Sequence, residues 1–162
     1  MNLFFCPKCR QPFAFLQVCP DCDLTTDAAA HTYVEKLLET VLSKETSRAG
    51  MAVDVLTKWL HEPRSIVPLK ILLQRKGDPY PQVLAARGLG WLKATSAVSA
   101  LAKLLLDEEQ PFVSRVAAAE ALGRIGGAVS LRVLEQAAGS PRPSVAEAAL
   151  ESLRETKQEV KS

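Results

Sequence analysis

Four cysteines carry the clearest chemistry in this 162-residue chain, and all of them fall within the first 22 positions. They form two pairs, Cys6-Pro7-Lys8-Cys9 and Cys19-Pro20-Asp21-Cys22, separated by nine residues. A C-x2-C turn aims two thiolates to one side, and a proline at its second position fixes φ and favours the turn. Two such turns brought face to face supply the four soft donors of a tetrahedral site, so Cys6, Cys9, Cys19 and Cys22 are expected to hold one structural Zn2+. The same four thiolates also suit a rubredoxin-like iron, and a dithiol redox pair is a further alternative. No histidine or carboxylate replaces a cysteine, so no coordination position is left open for water, which argues against catalytic zinc. A segment this short buries too little surface to fold alone, so metal binding is expected to drive its folding.

The paired spacing resembles a small zinc-ribbon or zinc-knuckle module over residues 1–24. Between the pairs, Arg10–Val18 contains Phe13, Phe15 and Val18, an apolar set suited to short strands. Together with Phe4 and Phe5, these phenylalanines exceed what so small a module buries on itself. They are expected to cover the open edge of the first helix that follows.

Beyond the cysteines, few residues combine into a reactive set. His31 and His61 each lie in or beside an expected helix and read as surface or partly packed residues. No glycine-rich phosphate loop precedes a helix, and no G-x-S-x-G elbow is present. Glu108-Glu109 reads as a soluble linker. Trp59 and Trp91 are expected to pack in the core, with an interface anchor as the alternative.

The elements that must position all this are helical. Hydrophobic residues are 48% and charged residues 23%, ordinary for a globular protein, while only 6% are aromatic. Abundant Ala and Leu suit closely packed helices. No stretch approaches the roughly 20 apolar residues of a membrane span. The start lacks a basic region followed by an apolar one, so no secretory signal is expected and the cytoplasm is the expected location. The formal charge of +2 is too weak to argue for nucleic acid. Residues 54–76 carry a local surplus (Lys58, Arg64, Lys70, Arg75 and Lys76 against Asp54 and Glu62), which reads as a solvated helix pair.

Residues 46–158 repeat with a period of 31–33. Trp59 and Trp91 correspond, as do Leu60, Leu92 and Ile125, and Leu69, Leu101 and Leu134. Leu89-Gly90 recurs as Leu122-Gly123. Each period holds an Ala-rich helix and then a Leu-rich one. Asp78-Pro79 and Ser140-Pro141 are start signals, and Gly126-Gly127 is a stop. Helices are therefore expected near 27–44, 47–60/64–75, 80–93/95–107, 111–125/128–138 and 142–158. The segment Ser114–Gly126 resembles the HEAT-repeat family, specifically the short repeats first associated with phycobilisome lyases. The family's helix-start arginine is Arg115 here, but Gln82 and Ala146 stand at the equivalent positions of the neighbouring units.

The expected architecture is all-α: a zinc ribbon over 1–24 and an α-solenoid of about three HEAT-like helix pairs over 25–162. Successive second helices of such a stack form an extended face. The columns Val67/Ser99/Arg132 and Ile71/Lys103/Gln136 lie along it and are the candidate contacts for a partner protein. The leading expectation is a non-enzymatic interaction, scaffold or adaptor module. The resemblance implies an alternative, a phycobilin-lyase-like or other HEAT-type modification enzyme. A nucleic-acid-associated zinc-ribbon protein is the third reading.

Overall fold

A computed structural model describes residues 3–5, 12–14, 26–43 and 45–159. Two short strands come first: β1 (Leu3–Phe5) and β2 (Pro12–Ala14), antiparallel, with Phe4 opposite Phe13. The first cysteine pair lies in sequence between them, so the strand pair brackets that pair instead of joining the two pairs. Phe13 falls on β2 as expected, whereas Phe15, Val18 and all four cysteines lie outside the described residues.

The remainder is helical. Helix α1 (Thr26–Val41) precedes α2 (Thr46–Asp54), α3 (Ile66–Leu73), α4 (Tyr80–Trp91), α5 (Val98–Leu106), α6 (Phe112–Ile125), α7 (Gly127–Ala137) and α8 (Pro143–Glu159). These follow the expected boundaries closely, because Ala/Leu periodicity and polar or proline starts coincide at each seam. The polar starts act as anticipated: Asp78 Oδ1 accepts from Tyr80 N at 3.0 Å, and Ser140 Oγ accepts from Arg142 N at 3.3 Å. Glu62 performs the same task for Arg64 N at 3.1 Å. No helix among the described residues is long and apolar enough to cross a membrane.

First helices pack on first helices (α2 on α4, α4 on α6, α6 on α8), and second helices on second helices (α3 on α5, α5 on α7). The shared core between these layers is built from the repeated positions, including Ala85, Leu89, Leu101, Ala118, Leu122, Leu134 and Ala149, all fully buried. Small residues let the first helices approach closely. A Cβ on Gly90 would lie 2.9 Å from Ala121 Cα, and one on Gly123 would lie 2.8 Å from Ser152 Cβ. The Leu-Gly repetition thus marks where one first helix crosses the next.

Three first helices also end on a residue of positive φ. His61 (φ 49°), Lys93 (φ 48°) and Gly126 (φ 69°) occupy equivalent positions in the left-handed region. At Lys93 the geometry is a Schellman turn, with Lys93 N donating to Gly90 O and Ala94 N to Leu89 O, both at 3.0 Å. Glycine adopts that conformation without the Cβ strain that lysine bears. Lys93→Gly should therefore raise the unfolding free energy by about 0.5–1 kcal/mol, net of the extra freedom glycine gives the unfolded chain. Denaturant unfolding of the two proteins measures the difference; equal or lower stability of Lys93→Gly would contradict it.

Candidate functional site

The second-helix layer presents the six candidate contact residues as a stripe. Val67 and Ile71 on α3, Ser99 and Lys103 on α5, and Arg132 and Gln136 on α7 are all exposed. Of these, Ser99 and Lys103 border a cleft of about 350 Å³. Its other walls come from the end of α3 (Leu73, Gln74), Lys76, Gln82 of α4, and the α5–α6 connection (Asp107, Gln110).

The floor of this cleft is polar and ordered. Gln82 is buried, and its amide nitrogen donates to Gln110 Oε1 at 3.1 Å and to Leu73 O at 3.4 Å. Its amide oxygen accepts from Ser114 Oγ at 2.7 Å. Asp107 Oδ2 accepts from the Gln110 amide at 2.9 Å, and Oδ1 from Glu109 N at 3.1 Å. Those two bonds, the Gln110 one foremost, hold the Asp107 carboxyl below its usual range, with the Arg115 and Lys76 charges adding to the effect. The rim therefore offers two ammonium groups, Lys76 and Lys103, and an ionised carboxylate. These can grip the polar atoms of an extended ligand. Among the described residues no group of three or more His, Cys, Asp or Glu is placed to share a metal ion.

Gln82 was distinguishable in the sequence only as a departure from the repeat's arginine. The structure gives that position its role. Arg115 is buried, its Nε donates to Leu105 O at 2.9 Å and its terminal nitrogen to Ser140 Oγ at 3.3 Å. Leu73 and Leu105 are equivalent, so Gln82 and Arg115 each satisfy a carbonyl near the end of the preceding second helix. Lys76 entered the sequence reading only as part of the basic surplus at 54–76, and Asp107 and Gln110 were not singled out, because loop residues carry no periodic signal.

Trp59 and Trp91 correct the expectation of core packing: they are 79% and 44% exposed. Trp59 closes a π-helical turn, Val55–Trp59, in which Leu60 N bonds Val55 O at 3.0 Å. That turn holds an extra residue and carries Trp59 off the buried stripe. Trp91 is covered on the surface by the Arg124 guanidinium, 4.8 Å from the ring centre, and by Lys58 Nζ at 5.8 Å. His61 is exposed. The basic surplus at 54–76 is largely engaged within the fold. Lys58 pairs with Asp54 at 2.8 Å, Arg64 with Glu35 at 2.7 Å, and Arg75 donates to Leu42 O at 2.8 Å. The last two tie α1 onto the repeat stack.

The fold resembles that of human deoxyhypusine hydroxylase, solved in complex with glycerol, with a TM-score of 0.65 and 25% sequence identity. The match covers 77% of this chain and 43% of that one, so the chain spans less than half the length of the enzyme it matches. No curated protein matches it. The expectation of a non-enzymatic scaffold or adaptor is corrected by this likeness to the fold of an enzyme, which favours the enzymatic alternative. The family described as HEAT repeats matches residues 66–154, more than half of the sequence, and the chain belongs to the HEAT-repeat family.

Proposed function

We propose that the chain is the repeat-built body of an enzyme that modifies a protein side chain. In this reading the cleft between α3, α4 and α5 receives the segment to be modified. One observation carries the proposal: the likeness to human deoxyhypusine hydroxylase at 25% identity over 77% of this chain. The cleft adds support, because Lys76, Lys103 and Asp107 stand over a hydrogen-bonded Gln82–Gln110 floor where a peptide's carbonyls and charged groups find partners. The protein partner is then a substrate, and the exposed stripe from Val67 to Gln136 is where its chain runs.

The four cysteines fit a structural zinc by their donor chemistry, four thiolates in two spaced pairs. Cys6, Cys9, Cys19 and Cys22 would hold it, and the metal would fold the N-terminal segment. The cytoplasm, where thiols stay reduced, is the matching compartment. Elemental analysis of the purified chain should find zinc; its absence removes the metal assignment alone.

The enzymatic reading is tested in the native host by peptide mass spectrometry with and without the chain. At least one peptide should carry a mass shift that disappears when the chain is removed, and that drops when Lys103→Glu replaces the native protein. A bilin-transferring activity would show in the same survey as a chromophore-bearing peptide. An unchanged inventory of modified peptides would defeat the enzymatic reading.

A further inference from the structure

The first-helix layer carries an apolar surface that the cleft does not use. Tyr80, Phe112 and Leu150 are each close to half exposed. Two hollows flank Phe112. One, of about 390 Å³, lies between α4 and α6 and is walled by Tyr80, Val83 and Val116. The other, of about 600 Å³, lies between α6 and α8 and is walled by Val116, Ala148 and Leu150. Phe112 and Val116 line both, so the hollows are halves of one trough with the Phe112 ring standing as a ridge between them. A single chain rarely leaves contiguous apolar surface of this kind uncovered.

Charge indicates what covers it. The Arg142 guanidinium lies 5.7 Å from the centre of the Phe112 ring, and Arg87 borders the α4–α6 hollow. Glu147, Glu151 and Arg154 border the α6–α8 hollow, where Arg154 pairs with Glu151 at 3.2 Å and leaves Glu147 as the uncompensated carboxylate. The face thus presents, side by side, a ring under the Arg142 cation and a hollow edged by the Glu147 carboxylate. Such a surface is complementary to itself: a copy related by a two-fold axis offers its ring and Arg142 to the other's hollow and Glu147, and receives the same in return.

We infer that the occupant of this trough is a second copy of the chain, docked isologously with each Phe112 in the α6–α8 hollow of the other. The buried ring supplies the affinity and the charged rim sets the register. The proposal stands apart from the enzymatic reading, since the trough and the cleft lie on different layers.

Sedimentation velocity of the full chain across the micromolar range should show a monomer–dimer equilibrium. Phe112→Glu should raise the dissociation constant at least about tenfold, the scale of losing one anchor of an interface, with the far-ultraviolet circular dichroism unchanged. Leu150→Glu should act in the same direction and serves if the first variant folds poorly. Trp59→Glu, on an exposed position outside the trough, should leave association as it is. A chain that stays monomeric throughout overturns the inference. So does a dimer insensitive to both trough variants, or one that Trp59→Glu dissolves equally.

Discussion

Arg115→Met should lower the unfolding free energy by about 2–3 kcal/mol, the loss of two hydrogen bonds from a charged donor together with a stranded carbonyl. Methionine preserves most of the aliphatic stem, so the deficit isolates the guanidinium. The native group donates to Leu105 O at 2.9 Å and Ser140 Oγ at 3.3 Å from a site only 6% exposed. Without it, the end of α5 keeps a buried acceptor with no partner, and the connection before α8 loses its tie to α6. Urea unfolding of the two proteins provides the measurement. A loss under about 0.5 kcal/mol would mean that water replaces the guanidinium and that the seam is wet.

Gly90→Ala should cost about 2 kcal/mol, even though alanine is the better helix former by roughly 1 kcal/mol in an open position. The new methyl would meet the Ala121 backbone at 2.9 Å, and a backbone atom cannot swing aside as a side-chain tip can. Either α4 and α6 separate, loosening every contact along their crossing, or the methyl stays compressed. Gly139→Ala provides the contrast: its nearest neighbour would be Gln136 O at 3.5 Å, ordinary contact, so stability should change by less than about 0.5 kcal/mol. Equal effects from the two variants would show that propensity outweighs the crossing.

The helices of this fold were legible because local and global signals agree. Ala85, Ala118 and Ala149 recur at the repeat spacing, and all three are fully buried. Asp78 and Ser140 stand where the chain turns into a helix, and both accept the bonds that such residues accept. The tryptophans misled because their spacing matched the repeat while their side chains left its buried face. Trp59 ends the π-helical turn, which no residue type announces. The positive-φ ends at His61 and Lys93 were hidden for a similar reason, since neither is the glycine that takes positive φ at the equivalent position, Gly126.

The candidate site was half legible. Ser99 and Lys103 were reached from repeat arithmetic and do border the cleft, but its floor and rim draw Gln82, Asp107 and Gln110 from two segments far apart in the chain. A pattern along the chain gives no measure of such convergence. The shift from scaffold to enzyme likewise came from a shared fold, because the described side chains contain no acid–base constellation that spacing alone would disclose.

The seam at Arg115 also bears on how the stack comes apart. One side chain of α6 closes the end of α5 behind it and grips Ser140 ahead of it. Opening α6 therefore strands a polar group on both neighbours, and opening either neighbour leaves part of the guanidinium without its partner. Amide protons in the last turn of α5 and the first turn of α8 are consequently expected to exchange with solvent at a common rate, as one cooperative block in place of repeats that unzip singly from an end.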